Sequence, residues 1–197
     1  MAYSQFNYKR IKDELGITDR PKTLFAEQPP VEPSKSLIDI LERNTFFSFF
    51  SEKSRSEGIV INVLAEICIR NKDKVSLYSG PILNADEKRG LNGECDFILS
   101  AGEQKYHIDA PLFCLIEAEE NDIKKNIPQC IAQMEGARVY NQNEGKEALC
   151  MYGCVTTGET WQFLALENSV CWIDTKRYSL AELPLILGIL QKIIEAQ

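Results

Sequence analysis

The sequence feature that most restricts the fold is a series of short apolar segments between Lys74 and Ile173, each bounded by turn residues. Segments of this length and composition predict β-strands. Longer stretches with apolar residues at helical spacing precede, interrupt and follow them. We therefore expect an α/β domain with a mixed central sheet flanked by helices, in the element order ααβββαβββα. The predicted strands are VSLYSG, CDFILS, PLFCLIEA, ALCMYGCVTT, WQFLAL and VCWI.

Helix capping and apolar periodicity predict four helices. The first begins at Ser36 and runs to about Phe50, and the second runs from Ser56 to about Arg70. The third covers about 127–141, and the last covers 179–196 after a capping box formed by Ser179 and Glu182. The last helix is apolar on nearly all sides, so we expect it either to be deeply buried or to form the interface of a homodimer.

The N-terminal residues predict an extended arm. Four of the eight prolines fall within residues 17–36, and proline fixes φ and lacks the backbone N–H that a helix needs. We therefore expect an extended arm over residues 1–35 and a single domain over residues 36–197.

Charge and cysteine content restrict the class of protein. The chain has 22 Lys and Arg against 29 Asp and Glu, which gives a net charge of −7. The net charge therefore does not indicate the basic face that a typical DNA-binding protein presents. We find neither an apolar run long enough for a bilayer nor a signal peptide, and the seven cysteines include no CxxC pair. These features predict a cytoplasmic protein with reduced thiols and no membrane association.

Acidic residues are concentrated in one stretch. Seven acids lie between Glu94 and Glu120, where Lys105 is the only Lys or Arg. Glu117 and Glu119 would share one face of a strand, and a hairpin partner can bring Asp96 beside them. Three converging carboxylates would raise each other's pKa values unless a divalent cation such as Mg²⁺ or Mn²⁺ balanced them. The alternative is that the strand runs into solvent at Glu117 and its acids are hydrated.

The order of these residues resembles that of the PD-(D/E)XK nuclease-like superfamily. Its pattern is a helical Glu, an Asp at the start of one hairpin strand, (D/E)xK on the next strand, and then a helix. The matching residues are Glu57, Asp96 and Glu117. Over residues 25 to 195 the chain also looks like a bacterial family of uncharacterised proteins, common in cyanobacteria and assigned to that fold. The segments that carry this likeness are EKSRSEGIV, SLYSG, GLNGECDFILS, IEAEEND, IPQCIAQM and YGCVTTGETWQFLAL.

The resemblance implies a restriction-endonuclease-like fold and Mg²⁺-dependent hydrolysis of phosphodiester bonds in nucleic acid. Asp96 and Glu117 would hold the metal, and Glu57 would bind it directly or through water. Gln129 and Gln133 match glutamine positions in related proteins and would contact phosphate or water. Alternatively, these glutamines are only polar residues on a solvated helix face.

One residue departs from the pattern, because Glu119 stands where the superfamily has lysine. Glu119 would then serve as an additional metal ligand or as a base, or Lys124 or Lys125 would supply the missing cation. The third alternative is an impaired site on a fold that binds nucleic acid or protein without cutting. The sequence thus leaves two functions open, a metal-dependent nuclease and a catalytically inactive binding module.

Overall fold

A computed structural model describes residues 2–46, 48–49, 51–119, 122–146 and 150–197. The described strands form one sheet of eight strands and a separate two-stranded hairpin. The strands are β1 (Thr18–Lys22), β2 (Val75–Ser79), β3 (Ile82–Asp86), β4 (Leu91–Glu94), β5 (Phe97–Ala101), β6 (Leu112–Ala118), β7 (Met151–Thr156), β8 (Thr160–Glu167), β9 (Val170–Asp174) and β10 (Tyr178–Ser179). The helices are α1 (Tyr8–Leu15), α2 (Lys35–Asn44), α3 (Glu52–Arg55), α4 (Ile61–Arg70), α5 (Ile123–Asn143) and α6 (Leu183–Glu195).

The large sheet has the order β1-β9-β8-β7-β6-β5-β2, with β10 paired to β8. The β1–β9 and β6–β7 pairs are parallel and the other pairs are antiparallel. The predicted mixed sheet with flanking helices is therefore confirmed, including the antiparallel β5–β6 hairpin. The β3–β4 hairpin, β1 and β10 were not predicted, because their short or polar sequences lack a clear apolar alternation.

Helices cover both faces of the sheet. Helices α2, α4 and α6 pack on one face, in a core that includes Trp161 and Phe163. Helix α5 covers the other face, where α1 and the short helical turn Tyr3–Gln5 join it. Helix α6 is buried within the chain against this first core, which explains its nearly all-round apolar surface. The homodimer stays a prediction.

The extended arm predicted for residues 1–35 is not what the structure shows over residues 3–22. Helix α1 packs near α5, and β1 pairs with the edge of the large sheet. Pro21 is tolerated there because an edge strand can leave one side of its backbone unpaired. Residues 23–34 contain neither helix nor strand. Tyr3, Phe6, Ile11 and Ile17 are buried in the core.

Two predicted helix starts are wrong. The hydroxyl of Ser34, rather than Ser36, caps α2 by accepting from the Leu37 N–H at 3.2 Å. Ser51 caps the next helical segment in the same way by accepting from the Ser54 N–H at 3.2 Å. That segment continues from α3 through a π-helical turn, Ser56–Val60, into α4, so Ser56 lies inside it. Phe47 and Phe50, at the predicted end of the first helix, lie outside the described residues.

The two remaining helix predictions agree more closely with the structure. Helix α5 begins at Ile123, four residues before the predicted start at Ile127, because the Asp122 carboxylate caps it. The capping box of Ser179 and Glu182 is confirmed and leads into α6. Within the described ranges, no helix is both long and apolar enough to cross a bilayer.

Candidate functional site

The β5–β6 hairpin brings Asp96 and Glu117 together. Its register pairs Phe97 with Ile116, so the next position along places Asp96 opposite Glu117. Alternation along the strands directs both side chains to the face that α5 covers. The backbone N–H of Ala118 donates to Asp96 Oδ2 at 2.7 Å and ties the carboxylate to β6.

Glu117 lies in the interior rather than in solvent. All seven residues of β6 are buried, and Glu117 itself is 2% exposed. Burial, followed by the neighbouring Asp96 carboxylate, raises the pKa of Glu117 well above its usual value. The alternative of a strand that runs into solvent at this residue is therefore wrong.

Two glutamines one turn apart on α5 hold the Glu117 carboxylate. The Gln129 amide donates to Oε2, and the Gln133 amide donates to Oε1. Gln133 is wholly buried, and its own Oε1 has no hydrogen-bond partner within the described chain. These contacts exclude the reading of both glutamines as residues of a solvated helix face.

Asp96 is half-buried in an acidic surrounding. Burial raises its pKa to about 6, and the negative charges of Glu52 and Glu94 act in the same direction. The hydrogen bond from the Ala118 N–H favours the ionised form and opposes them. Asp96 therefore changes protonation much closer to neutral pH than an exposed aspartate does.

Glu119 lies just beyond the end of β6 and is also half-buried. Its backbone N–H donates to the Thr156 carbonyl at 2.7 Å, which extends the parallel pairing with β7 by one bond. Burial, with Glu52 and Asp96, raises its pKa to about 7, against the positive charge of Lys125. Lys125 is thus the lysine whose charge reaches Glu119, while Lys124 lines a separate groove.

The predicted helical ligand Glu57 is more exposed than the other two predicted ligands, Asp96 and Glu117. Its side chain is 69% exposed, and it forms an ion pair with Lys53 at 3.8 Å. It lines a cavity of about 220 Å³ that Asp96 also lines. The helical glutamate whose charge acts on Asp96 is instead Glu52.

Sequence reasoning missed Glu52 because it placed the helix start at Ser56. A helix capped at Ser51 has Glu52 in its first turn and Glu57 about one and a half turns later. The available sequence signal is the pair of serines at 51 and 54, which form the reciprocal hydrogen bonds of a capping box in the structure. Serines at both 51 and 56 made the choice ambiguous from sequence.

The expected set of three carboxylate ligands is not found. Among the described residues, no group of three or more His, Cys, Asp or Glu side chains is arranged to hold a metal ion. The facing pair of Asp96 and Glu117 still fits Mg²⁺, which is commonly held by one or two carboxylates together with water and substrate phosphate. The orphaned Gln133 oxygen adds to this fit, because it leaves a buried polar atom beside Glu117 without a partner among the described residues.

Other nucleophile candidates lie outside this constellation. All seven cysteines are free, and burial raises the pKa of the Cys68 thiol to about 12. A thiol with a raised pKa is largely protonated and therefore a weak nucleophile at neutral pH. His107 is exposed in the segment that connects β5 to β6, as its polar sequence predicts.

Comparison with known proteins adds no family to this description, since neither a protein-family model nor a curated protein matches the chain.

Proposed function

We propose that the chain is a Mg²⁺- or Mn²⁺-dependent nuclease that hydrolyses phosphodiester bonds in nucleic acid. The observation that carries the proposal is the facing pair of Asp96 and Glu117, one of which is buried and held only by neutral amides. Within the described chain, neither carboxylate forms an ion pair with a Lys or Arg. A divalent cation would balance this charge.

The order of elements supports a restriction-endonuclease-like fold for this site. A helical segment with glutamates precedes β2, Asp96 lies directly before β5, and Glu117 lies on β6. Helix α5 follows, and β7 returns parallel to β6. From the helical glutamates to α5, this order of elements is the one that the superfamily resemblance implies.

In this proposal each side chain has a separate role. Asp96 and Glu117 would hold the cation, and Gln129 and Gln133 would fix the orientation of the Glu117 carboxylate. The bound cation would supply the positive charge that polarises a phosphoryl oxygen and acidifies an attacking water. Glu119, a half-buried acid close enough for the Asp96 charge to act on it, would accept the proton of that water.

The test is a plasmid-nicking assay with Mg²⁺ and with Mn²⁺. We expect the wild-type chain to cut and Asp96→Asn to lose about a thousandfold in rate, equivalent to roughly 4 kcal/mol. Glu103→Gln is the matched control, since it removes an exposed acid outside the site. If Asp96→Asn cuts as fast as the wild type, the proposed site is wrong.

A second function, nucleic-acid or protein binding without catalysis, is favoured by one observation. Glu52, Glu94 and Glu119 add negative charge beside Asp96, where a scissile phosphate would have to approach. Glu119→Lys restores the superfamily pattern and separates the two functions. If only Glu119→Lys cuts, the natural chain is a nuclease fold that has lost its activity. If no variant cuts and calorimetry detects no metal binding, the chain is not a metal-dependent nuclease.

A further inference from the structure

A basic groove lies at the carboxyl end of β7, next to the first turn of α5. Its volume is about 420 Å³. Three cationic side chains from separate parts of the chain line it: Arg55 of α3, Lys124 of α5 and Arg177 from the segment between β9 and β10. The other lining residues are Asp122, Ile123, Thr157 and Thr160.

The two arginines of the groove are held by neutral groups. Arg55 donates to the carbonyls of Phe49 and Thr157, at 3.0 Å and 3.4 Å. Arg177 donates to the side-chain oxygen of Gln162 at 3.0 Å. Of the carboxylates that the structure describes, none forms an ion pair with the three cations.

Among the described residues that line the groove, the one acid is Asp122, and it already caps the helix. Asp122 Oδ1 accepts from the backbone N–H of Lys124 at 3.0 Å and of Lys125 at 3.4 Å, so its carboxylate caps α5. The described lining of the groove therefore carries an excess of positive charge in a chain whose net charge is −7. Such a local excess attracts an anionic partner that the whole molecule would repel.

The groove shares a wall with the cavity of about 220 Å³ that Asp96 and Glu57 line. Residues 52–57 separate them: Glu52, Lys53, Ser56 and Glu57 face the cavity that Asp96 lines, and Arg55 faces the groove. On the far side, the Thr156 carbonyl binds the Glu119 N–H, and the next residue, Thr157, lines the groove. Thr157 of the groove is therefore one residue away from the carbonyl that binds Glu119, the acid next to Asp96.

We propose that this groove binds the phosphate backbone of a nucleic-acid strand, at phosphates adjacent to the one that reaches Asp96 and Glu117. The inference rests on the proposed function for the identity of the phosphate-bearing molecule. Arginine and lysine side chains neutralise backbone phosphates, and threonine hydroxyls donate to their oxygens. The groove would thus supply a local attraction for phosphate, although the net charge of the whole chain is negative.

The test measures binding without cutting. Fluorescence anisotropy in EDTA would follow labelled single-stranded DNA, single-stranded RNA and duplex DNA at low salt. Lys124→Glu and Arg177→Glu should each weaken binding of the preferred oligonucleotide at least about threefold, and together about tenfold. The slope of log affinity against log salt should become shallower by roughly 0.7 to 0.9 for each phosphate contact removed.

Lys9→Glu is the matched control, because it reverses an exposed cation on α1, outside the groove. Lys124→Glu keeps the test valid if Arg177→Glu unfolds, since the Lys124 side chain is exposed. Thermal unfolding of each variant would establish that it folds.

Two results would contradict the proposal that the groove binds nucleic acid. Either no oligonucleotide binds, or the groove variants bind as tightly as Lys9→Glu. Groove-dependent binding without hydrolysis in Mg²⁺ or Mn²⁺ would support the proposed role of the groove and contradict the proposed nuclease activity. Hydrolysis that is insensitive to Lys124→Glu and Arg177→Glu would support the proposed nuclease activity and contradict the proposed role of the groove.

Discussion

Two buried glutamates on the α5 side of the sheet are surrounded in opposite ways. Glu135 of α5 is 4% exposed and is paired with Arg89 at 3.0 Å and with Arg138 at 2.5 Å. Glu117 of β6 is 2% exposed, and its oxygens accept from the amides of Gln129 and Gln133. One carboxylate is balanced by two cations, and the other is balanced by none of the described side chains.

The difference separates a structural acid from a functional one. An ionised carboxylate in a low-dielectric interior is costly unless a positive charge accompanies it. Amide donors reduce that cost but carry no net charge. Glu117 must therefore take up a proton or a cation, and perturbed carboxylates of this kind are concentrated at functional sites.

The largest expected effect is at the paired acid. Glu135→Gln keeps the shape of the side chain but leaves Arg89 and Arg138 without their anion, and we expect it to destabilise the fold by about 2–3 kcal/mol. The estimate lies at or below the low end for buried pairs because the two arginine side chains are 39% and 28% exposed. Urea unfolding at pH 7 measures it. A loss below about 0.5 kcal/mol would contradict a structural role for this pair.

The second effect is a dependence of stability on pH in metal-free protein. The pKa values of Asp96, Glu117 and Glu119 are raised on folding, so the folded state binds more protons than the unfolded state above about pH 4. The free energy of unfolding should therefore fall as pH rises from about 5 to about 8. Below that range stability should instead fall as pH falls, because hydrogen bonds from Ser34 and Arg70 lower the pKa of Glu66, and Lys105 lowers the pKa of Asp109.

Urea titrations in EDTA at a series of pH values would measure this slope. A flat or rising profile between pH 5 and pH 8 would show that the acid pair is balanced by a charge other than a proton.

A third, smaller effect isolates the unpaired acid. Glu117→Gln removes the charge, and its new amide can donate to Gln133 once the Gln133 amide flips to present Oε1 in place of the Nε2 that now donates. We expect this variant to stabilise metal-free protein at pH 8 by about 1 kcal/mol, since a tenfold bias toward the protonated acid is worth roughly 1.4 kcal/mol. The pH slope should also become shallower than in the wild type. Destabilisation similar to that of Glu135→Gln would mean that the two glutamates play the same role.

The smallest effect is expected at an exposed acid. Glu57 is 69% exposed and pairs only with Lys53, itself 81% exposed, at 3.8 Å. Glu57→Gln should change the free energy of unfolding by less than about 0.5 kcal/mol, because exposed ion pairs contribute little. The same urea experiment measures it. A loss above about 1 kcal/mol would show that Glu57 has a buried role that its position does not indicate.

Much of the fold could be predicted from local sequence. The runs VSLYSG and PLFCLIEA predict β2 and β6, and the loop between CDFILS and PLFCLIEA predicts the hairpin that pairs them. The N-terminal region could not be predicted in the same way. Thr18–Lys22 is fully exposed and contains a proline, so only its pairing with β9 makes it a strand.

The candidate site shows the same division. Alternation along a strand places Glu117 and Glu119 on one face, and hairpin pairing adds Asp96. The role of the glutamines depends on how α5 packs over β6, and the role of Glu52 depends on where its helix begins.

The sequence by itself determined which residues are acids and which segments are strands and helices, because periodicity and capping act over a few neighbouring residues. Only the tertiary structure decided that Glu135 has two arginines, that Glu117 has two amides, and that Arg55, Lys124 and Arg177 share one groove. The physical reason is that burial and charge compensation depend on groups far apart in the chain, and packing alone brings these groups together.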